Sequence, residues 1–227
     1  PGEKLFESPN NRDTHDFVLI SSPVFFLNSM QKYAEFFSTF NNGTKLDKLE
    51  MPKYLGLTGT EKLFEMLRMK IANPLEARYY SAVPHRLGLG ESRQAVKYSM
   101  EPCTVGESQI PENPSPNFLR EAMVETLSTG SACMNFMIQP RTSDSMDVED
   151  SVTEWSEIDA PFIKVATLTI PQQEFNTAAL NTACENRSYN PWNALPEHKP
   201  LGALSRVRKV LYQAISELRH EMNGVTN

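Results

Sequence analysis

Long apolar runs are missing from this chain. The longest candidate, Val24-Phe25-Phe26-Leu27, is far short of the roughly 20 residues that carry a helix across a bilayer, so no transmembrane segment is expected. A basic excess is missing too. Lys and Arg number 22 against 28 Asp and Glu, a net charge of −6, which removes the attraction that nucleic-acid or anionic-membrane binding would need. Cysteine is scarce: Cys103, Cys133 and Cys184 are odd in number and widely spaced. They form neither a metal motif nor a disulfide framework, and a reducing, intracellular compartment is the expectation. No His-Glu-x-x-His, Gly-rich phosphate loop or Cys-x-x-Cys occurs, so zinc, nucleotide and dithiol chemistry have no support. The opening Pro1-Gly2-Glu3-Lys4 has no Met and no charged, apolar leader, and reads as a processed end or as a piece of something longer. Against these absences stand 227 residues, 40% apolar and 22% charged, enough to bury a core in one domain, residues 1–227.

Residues 1–12 are loop-like. Asp16–Ile20 reads as a buried strand stopped by Ser21-Ser22-Pro23, and a helix capped by Asn28 or Ser29 runs to about Phe40, ending at Asn41-Asn42-Gly43. Thr58 with Glu61 reads as a capping box, with Leu63, Phe64, Leu67 and Ile71 at helical spacing behind it. Ala77–Val83 and Ala95–Met100 read as strands joined by a loop holding Gly88 and Gly90, and a helix starts near Ser115 and ends at Gly130. Two further strands, about 132–139 and 163–170, flank an acidic stretch, Asp144–Glu157, that reads as a solvated loop. A last helix covers about Leu204–Met222. Strands without a βαβ rhythm point to an α+β fold on an antiparallel sheet or barrel.

The last helix carries the chemistry. Val207, Leu211, Ile215, Leu218 and Met222 form a stripe expected to face the core, while Arg208 and Tyr212, four apart, share a neighbouring face. A guanidinium one turn from a phenol favours phenolate, the form in which tyrosine serves as an axial ligand of ferric haem. Such pairs are common in helices, and what precedes this one is more specific.

The run Asn190-Pro191-Trp192-Asn193-Ala194-Leu195-Pro196-Glu197-His198-Lys199-Pro200-Leu201-Gly202 leads directly into the Arg208–Tyr212 helix. Together they resemble the C-terminal signature of the catalase-like haem proteins, specifically the small catalase-related group of bacteria and fungi. Asp16–Phe26, Asn73–Ser81, Ala95–Cys103, Val148–Trp155 and Pro161–Gln172 agree with that group in order and spacing, so the resemblance covers nearly the whole chain. It implies an antiparallel β-barrel wrapped by helices, here lacking its first strands and amounting to about two-thirds of the family domain.

The resemblance also implies haem b, with Tyr212 as the iron ligand and Arg208 as its partner. Phe25 matches a distal aromatic and Leu204 a proximal contact. The implied activity is reaction of ferric haem with hydrogen peroxide or an organic hydroperoxide. The family's distal histidine lies upstream of anything equivalent to Pro1, and its distal asparagine falls at or near Ser21, where a shorter hydroxyl stands instead. These two departures leave a second reading open, a catalase-fold subunit without catalytic activity, kept for structural or partner-binding roles. A barrel lacking strands is expected to associate, as a homo-oligomer or with other chains. The four histidines have ordinary readings. His15 is a solvated loop residue, His85 a turn residue, His198 a loop-fixing residue, and His220 a residue suited to a helix C-terminus.

Overall fold

The computed structural model describes residues 2–6 and 13–225. Its centre is strand β3 (Gln94–Pro102), whose apolar and small residues alternate with enough regularity to bury both faces: Val96, Lys97, Tyr98 and Ser99 are all buried in succession. On one edge β3 pairs with two short strands, β1 (Tyr79–Tyr80) and β2 (His85–Leu87); on the other it pairs with β4 (Ala132–Pro140), which pairs in turn with β5 (Ile163–Ile170). Every pairing is antiparallel. The β4–β5 register shifts at Phe136/Met137, a bulge that twists the outer strand. The sheet is open rather than closed, with β5 at its free edge, as a barrel lacking strands would be.

Among the described residues six α-helices accompany it: α1 (Met30–Asn42), α2 (Lys45–Leu49), α3 (Met51–Arg68), α4 (Phe118–Thr129), α5 (Ala178–Glu185) and α6 (Gly202–Met222). Of the two candidate caps, Asn28 and Ser29, it is Ser29 that caps α1. α3 starts with Pro52 in its first turn, not at Thr58, and bends where Gly56 takes φ +72°. Gly59 sits where an added Cβ would lie 2.5 Å from the Phe26 carbonyl oxygen, so only glycine lets α3 come this close. That approach builds the main core: Phe26, Leu27, Tyr33, Phe36 and Leu55, with Val83 from the sheet side and Leu204 from α6.

Four expectations need correction. Asp16–Ile20 is extended but not a strand, because its backbone faces a loop: Asp16 N–H donates to the Asn193 carbonyl at 3.0 Å, and only Ile20 makes a bridge, to Tyr80. Of the loop-like stretch 1–12, residues 1 and 7–12 lie outside the described residues. The acidic stretch 144–157 is not a solvated loop. Met146 and Trp155, with Ala160 just beyond, form a second buried cluster on the sheet, and Gln139 Nε2 donates to the Trp155 and Ala160 carbonyls at 3.0 and 2.9 Å. Cys103 and Cys133 form a disulfide, because the β3–β4 register sets them opposite each other with Cα atoms 5.5 Å apart; Cys184 is free and exposed. Lastly, the α6 stripe does not face the core. Leu211, Ile215, Leu218 and Met222 are exposed, and the helix instead buries Leu204, Ser205 and Arg208 in its first turns. Among the described residues no helix is long and apolar enough to cross a membrane.

Candidate functional site

Three segments set up the first turns of α6. Leu201 N–H donates to the Pro84 carbonyl at 2.9 Å, which fixes the helix start against the end of the β1–β2 connection. Gly202, at φ +85°, passes so close to Val148 that a Cβ would meet its carbonyl oxygen at 2.5 Å. Glu149 from the same acidic stretch accepts from Ala203 N–H at 2.6 Å and pairs with Arg206, so a carboxylate satisfies one of the N-terminal amides and sits favourably at the positive end of the helix. The Asn190–Gly202 run supplies the rest of the seat. Trp192 is buried and its indole N–H donates to the Ser205 carbonyl at 2.6 Å, while Asn190 Nδ2 donates to the Lys209 carbonyl at 2.9 Å.

On this platform Arg208 is 5% exposed. Its Nη2 donates to the Tyr212 hydroxyl at 3.2 Å, and its guanidinium carbon lies 5.2 Å from the Tyr212 ring centroid and 5.7 Å from that of Phe25. Nη1 is buried with no hydrogen-bond partner, and no carboxylate lies within ion-pair distance of Arg208 among the described residues. A buried guanidinium with no acid beside it opposes folding, so this one needs acceptors: the phenol oxygen takes one N–H of Nη2, and both N–H groups of Nη1 are unspent. Tyr212 itself is half-buried, open on one side.

Leu204, one turn earlier, is buried in the main core against which Phe25 packs, so Phe25, Leu204, Arg208 and Tyr212 are brought together. Phe25 covers the guanidinium directly; its ring lies against Arg208 and not across a gap wide enough for a flat macrocycle, which needs roughly 7 Å between opposed faces at ordinary contact distances. Ser21 is half-buried beside the Ile20–Tyr80 bridge and makes no side-chain hydrogen bond among the described residues; no contact joins it to this group.

Sequence reading missed His85. It is not a turn residue but the first residue of β2, fully enclosed, with Nδ1 unpartnered. Burial and then the Arg208 charge hold its pKa down at about 3, so the ring is neutral at any ordinary pH. His85 also opens a layer of rings: Tyr98 lies 4.8 Å from it, Phe17 and Phe136 lie 5.4 Å from Tyr98, and His15 stacks on Phe17 at 4.5 Å. His15 is held at about 4 by burial, with His198 and Lys4 adding to the effect. Burial pushes the Tyr98 phenol up to about 12. The signal for His85 was non-local, since only the pairing with Val96 and the bridge to Pro200 enclose it.

No protein-family model and no curated protein sequence matches the chain. Solved structures do match. A fungal catalase superposes with TM-score 0.76 at 16% identity over 92% of this chain and 45% of that one. Catalase A from Saccharomyces cerevisiae does so with TM-score 0.76 at 16% identity, over 92% and 47%. A bacterial catalase gives 0.71 at 16% identity, over 91% and 43%. The chain therefore spans less than half the length of these structures, and its fold is that of the catalases.

Proposed function

We propose that this chain carries the tyrosine side of a haem site that reacts with hydrogen peroxide or an organic hydroperoxide. The observation that carries the reading is the buried Arg208, which has no acid partner and spends one donor on the Tyr212 hydroxyl. The donor set fits haem b iron on this side. Tyr212 would offer the iron its phenol oxygen, and the Arg208 guanidinium at hydrogen-bond distance would stabilise negative charge on that oxygen. Bound there, the haem would supply the redox chemistry that peroxide cleavage requires.

The chain's own residues do the rest. Arg208 holds the Tyr212 ring in one orientation, and Leu204, buried one turn earlier, packs the start of the helix against the core. Phe25 must turn away from Arg208 to act as the facing aromatic.

Titration of the chain with haemin, followed by absorption, tests this. A ferric-tyrosinate spectrum is expected, weakened in Arg208→Leu and absent in Tyr212→Phe; an unchanged spectrum in Tyr212→Phe refutes the ligand assignment. The second reading, a catalase-fold subunit kept for packing, is favoured by the bare stripe Leu211, Ile215, Leu218 on α6 and the free β5 edge. It predicts no haem uptake and self-association.

A further inference from the structure

Lys97 lies on the face of β3 opposite the Val96–Tyr98 side, at the registration pair with Gln139, under the 144–160 segment. It is 4% exposed, and its Nζ has no hydrogen-bond partner. Its ammonium is held instead by the Trp155 indole, 5.0 Å from Nζ to the ring centroid. Beside it a cavity of about 10 Å3, room for about one water molecule, is lined by Pro23, Tyr80, Glu154, Trp155, Glu157 and Phe162. All of these but Trp155 are themselves partly or fully exposed, so the cavity lies just beneath the surface.

We propose that Lys97 is a covalent site for a one-carbon aldehyde, which it captures as an iminium. The free-amine lone pair attacks the carbonyl carbon, the C–O bond breaks, and the oxygen leaves as water. Ammonium plus aldehyde gives iminium plus water, so the charge at nitrogen is the same before and after. The class follows from that balance. The indole face, with Glu154 and Asp150, favours a cation at this nitrogen, and an iminium keeps it. An acyl or carbamoyl adduct would remove the charge, and a carboxylate or phosphate ligand would meet Glu154 and Glu157. Size follows from the cavity. Nucleophilicity follows from burial, which lowers the amine to about 8 against the opposing pull of Glu154 and Asp150. At pH 7 such an amine holds roughly 300 times the free-base fraction of an ordinary lysine. Tyr80, Tyr98 and Glu157 are the other ionisable groups lining the cavity.

The test is competition among the lysines of the intact chain. Limiting formaldehyde with cyanoborohydride at pH 7, followed by peptide mapping, is expected to label Lys97 at least about tenfold faster than exposed lysines such as Lys53 and Lys164. At pH 10 the free-base advantage falls to about fourfold, so the lead should shrink to that or less. Pyridoxal phosphate, too bulky for the cavity, should label the exposed lysines and leave Lys97 untouched. Lys97→Met should lose label at that peptide alone. Labelling of Lys97 no faster than the exposed lysines at pH 7 overturns the proposal, as does equal labelling by the bulky aldehyde. The readout needs no haem, so it stands or falls separately from the Tyr212 assignment.

Discussion

β3 and β5 carry the same kind of sequence, eight or nine residues of alternating apolar and polar character, yet they live in different environments. β3 is covered on both faces, by the His85–Phe17–Phe136 ring layer on one and by Trp155 with its cluster on the other. β5 is exposed along nearly its whole length, Ile163, Val165 and Leu168 included. A two-residue period says which side chains share a face; it says nothing about what lies on that face. Neighbouring strands and loops decide that, and β5 has a neighbour on one edge only.

Truncation should separate the two strands most sharply. Tyr98→Ala removes a buried ring that touches three others and should cost about 3–5 kcal/mol in denaturant melts, whereas Leu168→Ala should cost less than about 1 kcal/mol. A large cost at Leu168 would mean that β5 is covered in solution by another chain, and the contrast would fail.

Acid should act through the ring layer. His85 is neutral when folded and ordinary when unfolded, so the unfolded chain binds the extra proton as pH falls below about 6.5, and stability is lost downward from there until the folded ring itself protonates near 3. Between pH 7 and pH 5 the loss from His85 should be about 2 kcal/mol, followed as melting temperature against pH; His85→Leu should flatten that slope. Arg208→Leu should run the other way, raising stability by about 1 kcal/mol as an unpaired buried charge is replaced by an apolar side chain, even while haem affinity falls. The smallest effect on folding belongs to the free edge. Leu168→Lys should leave the melting temperature unchanged and reduce light scattering at high concentration, because an edge charge blocks strand-to-strand association.

The same contrast explains what could be read from the sequence. The α1 cap at Ser29, the stop of α4 at Gly130, β3, β4, β5 and the α6 span are local signals, and the structure has them. The Arg208–Tyr212 contact was legible because four residues of helix fix it. The burial of His85 and Lys97, the Cys103–Cys133 pairing and the seat that the acidic stretch makes for α6 depend on contacts across tens of residues, which periodicity does not encode. The α6 stripe misled for the reason that β5 does: apolar residues in register name a face, and this face is bare.

The lacing of the early segment onto the Asn190–Ala194 loop sets an order of events during synthesis. Asp16 accepts from the Asn190 amide across 174 residues, Thr14 accepts from Asn193, and Leu5 N–H donates to the Ala194 carbonyl. None of these bonds exists until residue 194 has left the ribosome. At ordinary elongation rates that is about 10–35 s after residue 16 is made. Through that interval the Phe17 segment is tied to the sheet by the Ile20–Tyr80 bridge rather than by the loop. A nascent chain of this fold therefore has every strand of its sheet in hand before the segment that carries Phe17 is laced down.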